Sequence, residues 1–130
     1  MYRVREVDGA EYLEELVALH KATFVAGENI ADFGGIMIGL DAFKKTEQYK
    51  KGEKIAGYTP MQRFFLGYAL GWLSQEREEQ LRTGLLADVH APAKWRVNGP
   101  LSNVPDFYDA FGVKPGQPMW RPENQRVKIW

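Results

Sequence analysis

The segment Thr59-Pro60-Met61-Gln62 does most to narrow what this chain can become. A threonine hydroxyl ahead of a helix accepts from the N3 amide, a glutamine at N3 returns the bond, and proline at the first helical position gives up only an N–H that would be orphaned anyway. The box starts a helix. Met61, Phe64, Phe65, Tyr68, Leu70 and Trp72 then give that helix so broad an apolar surface that it belongs at the centre of the fold. Elsewhere apolar residues recur at the three-to-four spacing of a helix face. Leu13, Leu16, Val17 and His20 mark one helix over Glu11 to Lys21, and Ile30, Phe33, Ile36 or Met37, Leu40 and Phe43 mark a second over Asn29 to Gln48. Gly34, Gly35 and Gly39 in the second each cost about 1 kcal/mol against alanine, which implies a close neighbour.

Glu78 to Leu86 reads as a charged helix, whereas Pro92, Gly99 and Pro100 make Val89 to Leu101 an irregular loop. Asn103 caps a short helix through Phe111. Gly112 to Trp130 reads as irregular chain or a short strand anchored by aromatics. The expectation is a mainly α fold with little or no sheet, and 130 residues with 45% hydrophobic content supply one core and one domain, 1–130.

Charge and cysteine content exclude several functions. Seventeen basic against seventeen acidic residues leave no positive field for nucleic acid. The absence of cysteine removes disulfides, thiolate nucleophiles and thiolate-ligated zinc. The longest strongly apolar run, Ile36 to Leu40, is far short of the roughly 20 residues that cross a bilayer. Met1 to Glu6 leads into no apolar signal-peptide core, so no membrane contact by this chain is expected.

Few residues could carry chemistry. Glu28 and Asp32, four apart, share a helix face, and Asp88 and His90, two apart, share a loop; carboxylate and imidazole both suit zinc. Spacing alone favours a blander account, in which acidic residues sit in a helix's first turn because its dipole attracts them and loop Asp and His are simply solvated. With two histidines and no His-Glu-x-x-His, spacing assembles no complete catalytic zinc site.

The wider wording of these segments adds more. Gly27-Glu28-Asn29-Ile30-Ala31-Asp32-Phe33-Gly34-Gly35, then Gln62-Arg63-Phe64-Phe65-Leu66, Trp72, Asp88-Val89-His90-Ala91-Pro92 and Arg96-Val97-Asn98-Gly99 resemble, in that order, the C-terminal part of neprilysin-family zinc metallopeptidases. The resemblance covers 24–130, including the closing pattern of a basic residue, valine and a final tryptophan; residues 1–23 show none of it. It implies the helical C-terminal portion of a gluzincin-like catalytic domain that hydrolyses peptide bonds. Position by position, Glu28 resembles the third zinc ligand, and Asp32 the carboxylate that orients a zinc-bound histidine. His90 is similar to the histidine that stabilises the oxyanion, with Asp88 orienting it; one such donor is worth about 3 kcal/mol. Arg96 resembles the guanidinium that grips a substrate carbonyl. Phe64, Phe65, Trp72 and Trp130 read as core, and Asn98 and Gly99 as loop-shaping residues.

The family's His-Glu-x-x-His, source of two zinc ligands and the general base, lies N-terminal to the Glu28 segment, and Met1 to Ala26 does not contain it. The resemblance therefore implies part of an enzyme. It is expected to hold zinc weakly or not at all by itself, to be inactive alone, and to depend on the missing catalytic segment in the same or another chain. An apolar face cut from that segment would favour self-association into a homo-oligomer. Leu73 and Val113 stand where animal members carry cysteine, which implies a bacterial-type relative of the periplasm, cell envelope or cytoplasm. The competing expectation is a freestanding, non-catalytic helical module that binds or regulates.

Overall fold

The computed structural model describes the backbone of residues 9–129 and the side chains of residues 26–129. The two helices expected over Glu11 to Lys21 and Asn29 to Gln48 are one: α1 runs Gly9–Lys44, 36 residues without a break. No proline falls between the two periodic stretches, and the one glycine there, Gly27, costs only about 1 kcal/mol, too little to interrupt a helix docked on a core. Leu13, Leu16, Val17 and His20 lie outside the residues whose side chains are described. Thr46 then caps a short α2, Glu47–Lys51, by accepting from the Tyr49 amide.

The capping box forms as the sequence demands. Thr59 Oγ1 accepts from the Gln62 amide at 3.2 Å, Gln62 Oε1 accepts from the Thr59 amide at 2.9 Å, and α3 follows over Pro60–Gly71. Ahead of it, Ile55 and Tyr58 exchange backbone bonds across a tight turn in which Ala56 and Gly57 both take positive φ. The Arg63 guanidinium ties this turn down by donating to the Glu53 and Tyr58 carbonyls. The charged helix is α4, Glu78–Ala87.

Val89 to Leu101 is not the irregular loop expected, because Ala93–Leu101 forms α5. Pro92 precedes the helix, where a missing N–H costs little, and Pro100 lies in its last turn. α6 is Pro105–Phe111, preceded by Val104 without a side-chain cap. Asn103, expected to cap it, instead donates to the Gly99 carbonyl and accepts from the Val127 amide, bridging the end of α5 to the C-terminal segment. That segment holds a single 3-10 turn, Glu123–Gln125, and there is no strand among the described residues. Trp130 lies outside them.

Phe33, Ile36 and Leu40 of α1 meet Phe65 of α3 and Leu101 and Val104 at the end of α5, all buried, with Phe64, Tyr68, Val97 and Phe107 packed around them. Of the stripe expected on α1, Phe33, Ile36 and Leu40 are buried, Met37 and Phe43 are half-buried, and Ile30 is 51% exposed. On α3 Leu70 likewise faces outward. A Cβ on Gly39 would meet Phe64 Cζ at 3.6 Å, ordinary contact, and one on Gly35 would meet nothing. Close approach therefore accounts for neither glycine. No described helix is long and apolar enough to cross a membrane.

Candidate functional site

Because α1 is continuous, Glu28 and Asp32 lie in its middle, where the helix dipole has no call on acidic residues. One turn apart, they share one side of the helix, and α5 packs across α1. Arg96, in the first half of α5, meets Asp32 fork to fork: Nε donates to Oδ2 and Nη2 to Oδ1, each at 2.7 Å, across 64 positions of sequence. The two side chains are mostly buried, and the Asp32 carboxylate holds the guanidinium's pKa above its ordinary value. Trp72, which follows α3, places its ring under the guanidinium, with the ring centre 4.1 Å from Cζ. The tryptophan expected in the core is a wall of this site instead.

Asp88 closes α4 and turns back on itself. Its Oδ1 accepts from the His90 amide at 2.9 Å and pairs with His90 Nδ1 at 2.8 Å. Those bonds, the backbone one foremost, hold the Asp88 carboxyl below its usual range although it is exposed. On the other edge of the ring, His90 Nε2 lies 3.2 Å from Glu28 Oε2. A neutral imidazole has one N–H, so both carboxylate contacts are hydrogen bonds only for the imidazolium, which donates from both nitrogens. The structure thus gathers all five residues singled out in the sequence: Glu28, Asp32, Asp88 and His90 with Arg96.

A cleft of about 400 Å³ opens beside them, bordered by Trp72, Leu81, Leu85, Asp88, His90 and Arg96. Asp32 occupies two of the five guanidinium N–H groups, which leaves three on Arg96 that it does not engage. Behind the site the Tyr68 hydroxyl donates to the Arg96 carbonyl at 3.0 Å. Burial raises the Tyr68 pKa, and the Asp32 charge adds to it, so the hydroxyl keeps its proton. Asn98 and Gly99, expected to shape a loop, lie inside α5, where the Gly99 carbonyl accepts from both the Ser102 hydroxyl and the Asn103 amide. Tyr68 and Trp72 are the residues that sequence reading left out of the site. Apolar periodicity files both under core, and nothing local marks a ring that will lie under a guanidinium from another helix.

No group of three or more metal-ligating side chains occurs among the described residues. Glu28, half-exposed and in contact with His90, offers a single carboxylate donor of the kind zinc accepts.

The neutral endopeptidase of Lactobacillus helveticus is 37% identical over 82% of this chain and 15% of its own length. Neprilysin-21 of Caenorhabditis elegans is 35% identical over 98% of the chain and 17% of its own length. The zinc metalloprotease ZMP1 of Mycobacterium tuberculosis, in its open state, superposes with a TM-score of 0.72 at 33% identity, over 83% of this chain and 17% of that one. The chain thus spans about 15% of the length of the curated relatives it matches. The model of Peptidase family M13 matches residues 5–127, reaching further toward the N-terminus than the resemblance read from the sequence. A match over nearly the whole chain, with a helical fold shared with a solved zinc metalloprotease, establishes that this chain belongs to peptidase family M13.

Proposed function

We propose that this segment forms one wall of a zinc metallopeptidase active site that acts on peptide substrates, with each of the five gathered side chains in a distinct role. The observation that carries the reading is the convergence of Glu28, Asp32, Asp88, His90 and Arg96 from three separate segments onto one side of the fold, with a cleft beside them. A buried bidentate ion pair between residues 64 apart is an expensive way to stabilise a fold, since apolar side chains of similar volume would serve as well. Its use here fits a site that must aim a guanidinium.

In this reading Glu28 is the zinc ligand that this chain supplies, and the remaining ligands come from outside the described residues. Zinc, when bound, activates a water and polarises the scissile carbonyl. His90 donates from Nε2 to the oxygen on which negative charge develops, while Asp88 holds Nδ1–H and with it the ring's orientation. Arg96 binds a backbone carbonyl of the substrate through the N–H groups that Asp32 leaves free. Asp32 keeps a second lone pair on each oxygen, enough to orient a histidine supplied by the rest of the enzyme. Asn29 Oδ1, buried beside Glu28 with no hydrogen-bond partner among the described residues, is an acceptor that such an added segment can satisfy.

The test is a set of three variants in an enzyme that contains this chain together with its His-Glu-x-x-His segment. Glu28→Gln is expected to lose zinc. His90→Ala should keep zinc and lower kcat about 10²-fold with little change in KM, because its bond matters chiefly in the transition state. Arg96→Ala should keep zinc and chiefly raise KM, because it holds substrate before and during reaction alike. The isolated 130-residue chain should bind zinc only weakly by equilibrium dialysis, since it lacks the two imidazoles of a His-Glu-x-x-His segment. Full zinc occupancy in Glu28→Gln rejects Glu28 as a ligand, and zinc loss in His90→Ala rejects His90 as the oxyanion donor.

A further inference from the structure

The geometry points to Tyr68 as a positioning residue for Arg96: its hydroxyl supplies the hydrogen bond that Pro100 denies to the Arg96 carbonyl, and so fixes the turn of α5 from which the guanidinium projects. The inference rests on the substrate-binding role proposed for Arg96. Its starting point is a vacancy written into the sequence. In an α-helix the carbonyl of residue 96 accepts from the amide of residue 100, and here that residue is proline, which has no N–H and whose ring crowds the carbonyl four positions back. A buried or half-buried carbonyl without a donor is costly, so something else must meet it.

What meets it is Tyr68 Oη, 3.0 Å from Arg96 O and donated from the last turns of α3. The vacancy is not an accident of a frayed end, because Pro100 is itself buried and is followed by the core residue Leu101. The N-terminal end of α5 has no side-chain cap either; the Pro92 carbonyl receives both the Trp95 and Arg96 amides. Tyr68 is thus the side chain that ties the Arg96 backbone to another helix. Four positions later α3 gives way to Trp72, whose ring covers the face of the same guanidinium while Asp32 grips its edge. One end of α3 therefore meets Arg96 at two points: the hydroxyl holds its backbone carbonyl, and the indole packs against its charged group. Raised by burial, the Tyr68 pKa keeps that donor protonated throughout the neutral range.

The test begins with Tyr68→Phe, which keeps the ring and deletes the donor. In the 130-residue chain, NMR follows hydrogen exchange of the Arg96 Nε–H that Asp32 protects. We expect exchange about fivefold faster, the effect of one lost hydrogen bond of ordinary strength. Pro100→Ala restores an amide to serve the Arg96 carbonyl, so the same Tyr68→Phe change made on that background should alter exchange less than about twofold, whatever Pro100→Ala does to stability alone. In the complete peptidase, Tyr68→Phe should raise KM several-fold with kcat and zinc content kept. Three results overturn the inference: unchanged exchange in Tyr68→Phe, equal acceleration on both backgrounds, or faster exchange with a wild-type KM. The exchange cycle needs no turnover, and a failure of the Arg96 role itself would show separately, as an Arg96→Ala enzyme with wild-type KM.

Discussion

Removing the Asp32 carboxylate should cost this fold more than removing any surface charge, and the structure sets the size of the loss. Asp32 and Arg96 keep only 12% and 16% of their side-chain surface exposed, and two bonds of 2.7 Å join them. In Asp32→Ala the guanidinium stays behind with two N–H groups unpaired and little water to replace their partner. Stripping one member from a fully buried pair costs about 3–5 kcal/mol. Residual exposure and the retained contact with Trp72, worth about 1 kcal/mol, place this site at the lower end, about 3 kcal/mol. For a chain of this size that loss lowers Tm by about 10 °C. Replacing both partners, Asp32→Leu with Arg96→Met, removes the stranded charge as well and should return to within about 1 kcal/mol of the parent. The matched control is Glu78→Ala, which breaks the pair with Arg82 one turn along α4. Both of those side chains are about three-quarters exposed, so the loss should stay within about 0.5 kcal/mol. Urea unfolding of the 130-residue chain followed by far-ultraviolet circular dichroism measures all four proteins. An Asp32→Ala midpoint no lower than that of Glu78→Ala, or a double variant as unstable as the single one, refutes the reasoning.

Two further outcomes follow from the same structure. Thr59→Ala should lower stability by about 1 kcal/mol through the lost cap, and Gln62→Ala by more, because its side chain also donates to the Ala110 carbonyl at 2.9 Å and ties α3 to α6; equal losses in thermal melts would mean that the tie contributes nothing. Asp88, held below the usual carboxylate range by its bonds to His90, should still be ionised where free aspartate is half protonated, so the stability it contributes is present above that range and disappears as pH falls through the lowered value. Carbon NMR of the carboxyl should show its titration moving part of the way back up in His90→Ala, which removes the ring bond and keeps the backbone one, and an unmoved midpoint would mean that the ring adds nothing to the hold of the backbone turn on the charge.

The parts of the fold that could be read from the sequence are those whose determinants are local. The capping box at Thr59 is four residues long and forms as expected, and the apolar spacing of Phe33, Ile36 and Leu40 predicts the face that meets the core. Where sequence and structure part, a distant partner overrides a local cost. Pro100 and Gly99 read as helix breakers, yet α5 forms because Tyr68, 32 positions earlier by number, covers the carbonyl left bare by the proline. Asn103 has the chemistry of a cap but its amide reaches back to Gly99 and its oxygen forward to Val127, the second a contact made available only once the C-terminal segment has folded over α5.

The candidate site divides along the same line. Glu28, Asp32, Asp88, His90 and Arg96 could all be named from their wording, because each sits in a short run of residues that resembles a known family. The contact of Asp88 with His90 could be expected as well; the partners of Asp32 and Glu28 could not. Orienting a zinc-bound histidine is the role the resemblance implies for Asp32, and its observed partner is Arg96, which no spacing rule connects to it across 64 positions. The dipole account of Glu28 and Asp32 depends on a helix beginning beside them, and it lapses once α1 carries both in its middle. Mid-helix carboxylates on a half-buried face need partners to be tolerated at all. Asp32 finds Arg96 and Glu28 finds His90, so the helix that reads in the sequence as two unremarkable amphipathic stretches acts as the rail along which the charged groups of the site are set one turn apart.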